Sequence, residues 1–62
     1  MSNEKDRVVT SAGCTVEVWR AGPCVAVQIK QPSGKTDLFT VGWGSALAVA
    51  EAITKHAAEA AK

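Results

Sequence analysis

Cys14-Thr-Val-Glu-Val-Trp-Arg-Ala-Gly-Pro-Cys-Val-Ala-Val-Gln-Ile-Lys30 is the stretch on which the fold turns. Its first part alternates strictly, with Cys14, Val16 and Val18 to one side and Thr15, Glu17 and Trp19 to the other. A period of two over six residues marks a half-buried strand. The run from Cys24 to Lys30 alternates again, with Val25, Val27 and Ile29 on one face. Between them, Arg20-Ala-Gly-Pro23 reads as a turn, because Gly22-Pro23 interrupts any regular element. Two alternating strands around a short turn form an antiparallel hairpin. Pairing Val18 with Val25 also sets Val16 against Val27 and Cys14 against Ile29. The other face then pairs Trp19 with Cys24, Glu17 with Ala26 and Thr15 with Gln28. Slipping this register by one residue would turn every apolar side chain to the wrong face.

The pattern extends in both directions. Gln31-Pro-Ser-Gly-Lys35 is a second turn: Pro32 presets φ for its first corner and Gly34 can take the left-handed conformation that closes it. Thr36 to Trp43 is the last strand, aligning Phe39, Val41 and Trp43 and setting Val27 against Phe39 and Val25 against Val41. Upstream, Arg7-Val-Val-Thr-Ser11 is a short β-prone run, closed by Ala12-Gly13, and residues 1–6 are expected to form a flexible tail. After Gly44 the period changes to 3.6, Ser45 is the expected N-cap, and Ala46 to Lys62 contains neither Gly nor Pro. Val49, Ala50, Ile53, Ala57 and Ala60 share one side of that helix, with Glu51, Lys55, Glu59 and Lys62 opposite. The expected fold is α+β. It is a three- to four-stranded antiparallel meander followed by one C-terminal helix packed on one sheet face (βββα or ββββα), forming a single small domain over residues 7–62. The helix is expected to cover the side carrying Val16, Val18, Val25, Val27, Ile29, Phe39 and Val41, with Trp43 in the core.

Composition limits what such a domain can do. The chain has 62 residues, 47% of them apolar, but eleven are Ala. A chain this short buries only about 60% of its unfolded surface, so association with a second copy is expected. Charged residues are 21% and the formal net charge is +1, which describes neither an acidic tail nor a polybasic arm. The longest uncharged run, Leu38 to Ala50, is too short and too broken by Gly for a membrane span. The N-terminus is polar and mixed in sign, with no secretory signal pattern, so a cytoplasmic setting is expected.

No catalytic constellation emerges, and no enzyme activity, metal or cofactor is expected. His56 is the only histidine, on the flank of the helix, and the six acids are scattered. Cys14 and Cys24 form no CxxC motif, and the hairpin register sets them on opposite faces, against a disulfide. Ser33-Gly34-Lys35 lacks the leading glycine of a phosphate-binding loop and precedes a strand, whereas that loop opens a helix. Gly42-Trp-Gly-Ser45 does open a helix and reads as a corner that needs glycine.

The sheet face away from the helix is the informative surface. It is expected to carry Trp19, Gln28, Lys30, Leu38 and Thr40, bordered at the turns by Arg20 and Lys35. Aromatic and aliphatic side chains rimmed by polar ones mark an interaction surface. The first reading is a non-catalytic protein-binding module, regulator or inhibitor using that face or a sheet edge, including self-association as a homodimer. Chains of this size and makeup resemble accessory proteins of phages and mobile elements. The alternative is a nucleic-acid-binding domain using Trp19, Arg20, Lys30 and Lys35. Lys35 to Lys62 resembles the last strand and helix of a double-stranded-RNA-binding domain in its Gly42, Gly44 and Ser45 followed by an Ala-rich helix. A meander followed by one helix is also similar in topology to the ethylene-response type of DNA-binding domain and to single-stranded-DNA-binding coactivators. These likenesses imply nucleic-acid binding.

Overall fold

The computed structural model describes residues 4–62. Four strands, β1 (Lys5–Val9), β2 (Thr15–Ala21), β3 (Cys24–Lys30) and β4 (Thr36–Gly42), form one antiparallel sheet in the order β1-β2-β3-β4. Helix α1 (Trp43–Ala60) follows β4 directly and packs against the sheet at β3 and β4. The architecture is therefore ββββα.

The first hairpin is tighter than the sequence suggests. Ala21 pairs with Cys24, so the connection is Gly22-Pro23 alone. Gly22 has φ +63, and a two-residue loop with glycine in the left-handed region at its first position matches the right-handed twist of the flanking strands. As a result Val18 pairs with Val27, not Val25, and Val16 with Ile29, not Val27. Trp19 faces Ala26, Glu17 faces Gln28, and Thr15 faces Lys30. Relative to expectation the register moves by two residues, an even step that keeps Val16, Val18, Val25, Val27 and Ile29 on one face and Trp19 and Gln28 on the other. Cys14 falls outside β2, and both cysteines are free. The second hairpin has the expected register, Val27 with Phe39 and Val25 with Val41. Its loop, residues 31–35, closes with Gln31 N–H to Lys35 O at 2.8 Å and Gly34 N–H to Gln31 O at 2.9 Å.

Two other boundaries move. The outer strand begins at Lys5, so Lys5 and Asp6 belong to the sheet and not to a tail; the first three residues of the expected tail lie outside the described residues. Val8 pairs with Val16, which fixes that fourth strand. Helix α1 starts at Trp43 with Gly42 as N-cap, in extended conformation and without a side-chain cap, so Ser45 lies inside the helix. The Trp43 N–H instead donates to the Pro23 carbonyl at 3.2 Å, tying the helix start to the first hairpin turn.

The packing is light. Among the described residues only Ala26 is buried, at 2% exposure. Its cross-strand neighbours are Trp19 and Thr40. Within α1 only Ala46 is half-buried. Trp43, expected in the core, is 66% exposed. Its strand-like alignment with Val41 ends when the chain turns into the helix. The valines of the central strands are half-buried, and Phe39 is 47% exposed. Helix α1 touches β3 and β4 but leaves Phe39 and Val8 exposed, and the alanines along its apolar side contribute few methyl groups to the contact.

Candidate interaction surfaces

Alternation along each strand and pairing across strands sort the sheet into two faces. One carries Val8, Val16, Val18, Val25, Val27, Ile29, Phe39 and Val41, with Asp6, Arg20 and Asp37 toward its ends. We call it the apolar face. The other carries Trp19, Ala26, Gln28, Lys30, Leu38 and Thr40 together with Lys5, Arg7 and Glu17. We call it the mixed face.

Of the seven residues singled out in the sequence, Trp19, Gln28, Lys30, Leu38 and Thr40 come together on the mixed face. Arg20 does not. It lies in β2 opposite Val25, on the apolar side, and its Nε donates to the Gly22 carbonyl at 3.0 Å. The two-residue turn draws Arg20 into the strand and away from the border role expected of it. Lys35 is exposed in the second turn.

Sequence reasoning missed two cations on the mixed face. Lys5 pairs with Trp19 and Arg7 with Glu17 across β1 and β2. The Lys5 ammonium stands 4.4 Å from the centre of the Trp19 ring, a cation–π arrangement. Trp19 is thereby half-buried, not the open platform its alternation suggested. The missed signal was the alternation itself: Lys5, Arg7 and Val9 continue the period of two one turn earlier than the expected strand. On the same face Lys30 Nζ lies 3.9 Å from a Glu17 carboxylate oxygen. That pair sits at the surface, where such contacts contribute about 0–1 kcal/mol.

Four further exposed apolar side chains lie on α1. Trp43, Leu47, Val49 and Ile53 on α1 are all more than half exposed, and they form two i,i+4 pairs, Trp43 with Leu47 and Val49 with Ile53, on either side of the stripe of Ala46, Ala50 and Ala57. Trp43 also closes an open depression of about 360 Å³ lined by Arg20, Gly22, Pro23, Cys24 and Val25. Among the described residues no helix is long and apolar enough to cross a membrane. Among the described residues no group of three or more His, Cys, Asp or Glu converges at metal-binding distance, and no buried side-chain polar atom lacks a partner. No family model matches the chain, no curated protein matches it, and no solved structure matches it.

Proposed function

We propose that this chain is a non-catalytic protein-binding module in a cytoplasmic setting, acting through the apolar surface spread over α1 and the sheet. The observation that carries this reading is the mismatch between apolar content and burial. Among the described residues Trp43, Leu47, Val49 and Ile53 on α1 and Val8 and Phe39 on the apolar sheet face stand exposed, while a single alanine is buried. Monomeric soluble proteins rarely leave contiguous apolar area of this kind to water, and where they do it marks an interface. The absence of a charged residue between Trp43 and Ala50 supports the same reading, since interface centres are depleted in charge.

A photo-crosslinking amino acid placed at Leu47 or Ile53 tests it in the producing cell. Irradiation is expected to give discrete protein adducts that are missing when the group is placed at Glu51 or Glu59. Nuclease-sensitive adducts, or the same adducts from all four positions, would contradict the reading.

One observation favours a second reading, nucleic-acid binding by the mixed face. Lys5, Arg7 and Lys30 share that face with Trp19, and a basic strip beside an aromatic ring suits a single strand. Against it stand Glu17 in the middle of the strip and the formal net charge of +1, because phosphate neutralisation dominates such affinity. A salt titration with a labelled oligonucleotide discriminates the two. Binding that weakens steeply with salt and is lost in Lys5→Ala/Arg7→Ala/Lys30→Ala supports the second reading.

A further inference from the structure

We infer that the partner of the apolar surface is a second copy of this chain, and that the two copies exchange helices: α1 of each lies across the apolar sheet face of the other. The inference rests on the protein-binding reading above and names its occupant. Area is the first argument. A compact protein of 6.4 kDa exposes about 3,800 Å². This chain exposes 5000 Å², a surplus of roughly 1,200 Å² over that compact value. Two such chains covering their surplus would bury about 2,400 Å² in total, inside the range of obligate homodimer interfaces. Shape agrees: the radius of gyration is 12.9 Å, against about 11 Å for a compact chain of this length.

Complementarity is the second argument. The chain owns both halves of a helix-on-sheet layer and joins neither fully to the other. Leu47 and Ile53 are each 63% exposed, and Phe39 on the sheet is 47% exposed. A two-fold arrangement lets the same two surfaces satisfy each other twice, as an isologous interface requires. Ala46, Ala50 and Ala57 lie along the same side of α1 and let it approach the sheet closely. Glu51, Lys55 and Glu59 lie on the far side and remain in water, so the helix brings no charge of its own into the contact. A helix-to-helix contact would leave the sheet valines uncovered, and a sheet-to-sheet contact would leave α1 uncovered.

Mixing two single variants of the purified chain tests the exchange. Ile53→Glu damages the helix side, and Phe39→Lys damages the sheet side. Each variant alone is expected to dimerise at least 100-fold more weakly than the parent. Circular dichroism at high concentration checks that each keeps its strand and helix content. Mixed in equal amounts they are expected to recover much of the affinity, because the heterodimer has one undamaged helix-on-sheet contact and one that sets Glu against Lys. Loss of dimer in Ile53→Glu alone would mean a helix-to-helix contact. Loss in Phe39→Lys alone would mean a sheet-to-sheet contact. Loss in both without recovery on mixing would likewise overturn the exchange. A parent chain that stays at 6.4 kDa while its crosslinks capture a different protein would overturn the second copy and leave the protein-binding reading standing.

Discussion

At Gly22 the backbone holds φ +63, a conformation that costs a residue with a Cβ about 1–2 kcal/mol. Nothing lies within 4 Å of where that Cβ would stand, so the cost is one of backbone alone. Gly22→Val is therefore expected to destabilise the fold by about 1–2 kcal/mol, read as a lower melting temperature at fixed protein concentration. Gly44 is the opposite case. It lies inside α1 with open space around it, and Gly44→Ala is expected to stabilise by about 0.5–1 kcal/mol. If both changes shift the melting temperature in the same direction, the backbone assignment of one glycine is wrong. The two tryptophans carry a further expectation. In the monomeric state, reached by dilution or in Ile53→Glu, Trp43 should be quenched by acrylamide more readily than Trp19, which lies half-buried beneath Lys5. Single Trp→Phe variants separate the two signals, and a Trp19 as open as Trp43 would contradict the Lys5 contact. The alternation of Trp43 with Phe39 and Val41 pointed the other way, because a residue at a strand-to-helix junction fits both periods at once. It completes Phe39-x-Val41-x-Trp43 as a strand and begins Trp43-x-x-x-Leu47 as a helix.

Among the elements, the partition of β2, β3 and β4 into two faces was legible in the residues, because Val16 and Val18, then Val25, Val27 and Ile29, then Phe39 and Val41 alternate with other residues within each strand. The pairing partners within the first hairpin were not. A slip of two residues keeps Val against Val and Glu against a small or polar neighbour, so hydrophobic pattern alone cannot choose between Val18–Val25 and Val18–Val27. Only the turn decides, and Gly22 at positive φ selects the two-residue loop. β1 was half legible: Val8 announced a strand, while Lys5 and Asp6 were hidden by their charge. The register makes Val27 central, with Val18 and Phe39 on either side. Val27→Ala is expected to lower stability by about 1–2 kcal/mol, and Gln28→Ala, on the mixed face, by no more than about 0.5 kcal/mol. Equal effects in chemical denaturation would mean that neither face is the covered one. Helix α1 was legible as a helix from its alanines and its lack of Gly and Pro after Gly44. How it docks was not, because alanine methyls define an apolar side without defining which sheet that side meets.

For the whole molecule, the helix packs on its own sheet at β3 and β4 but leaves Phe39 on the sheet and Leu47 and Ile53 on the helix exposed. One buried residue among the described residues is far too little to hold a compact fold by burial alone. Association should therefore add to the stability of the fold, and stability should depend on concentration. Tenfold dilution is expected to lower the melting temperature by roughly 5 °C, since a tenfold change in association is about 1.4 kcal/mol. A melting temperature independent of concentration would place the stabilising contacts within one chain. The most direct test of the helix exchange is the mass of the purified parent chain by light scattering across a concentration series. The account predicts about twice 6.4 kDa at micromolar concentration and above, with dissociation only on strong dilution. A mass of 6.4 kDa maintained at high concentration, with strand and helix content intact, would contradict it.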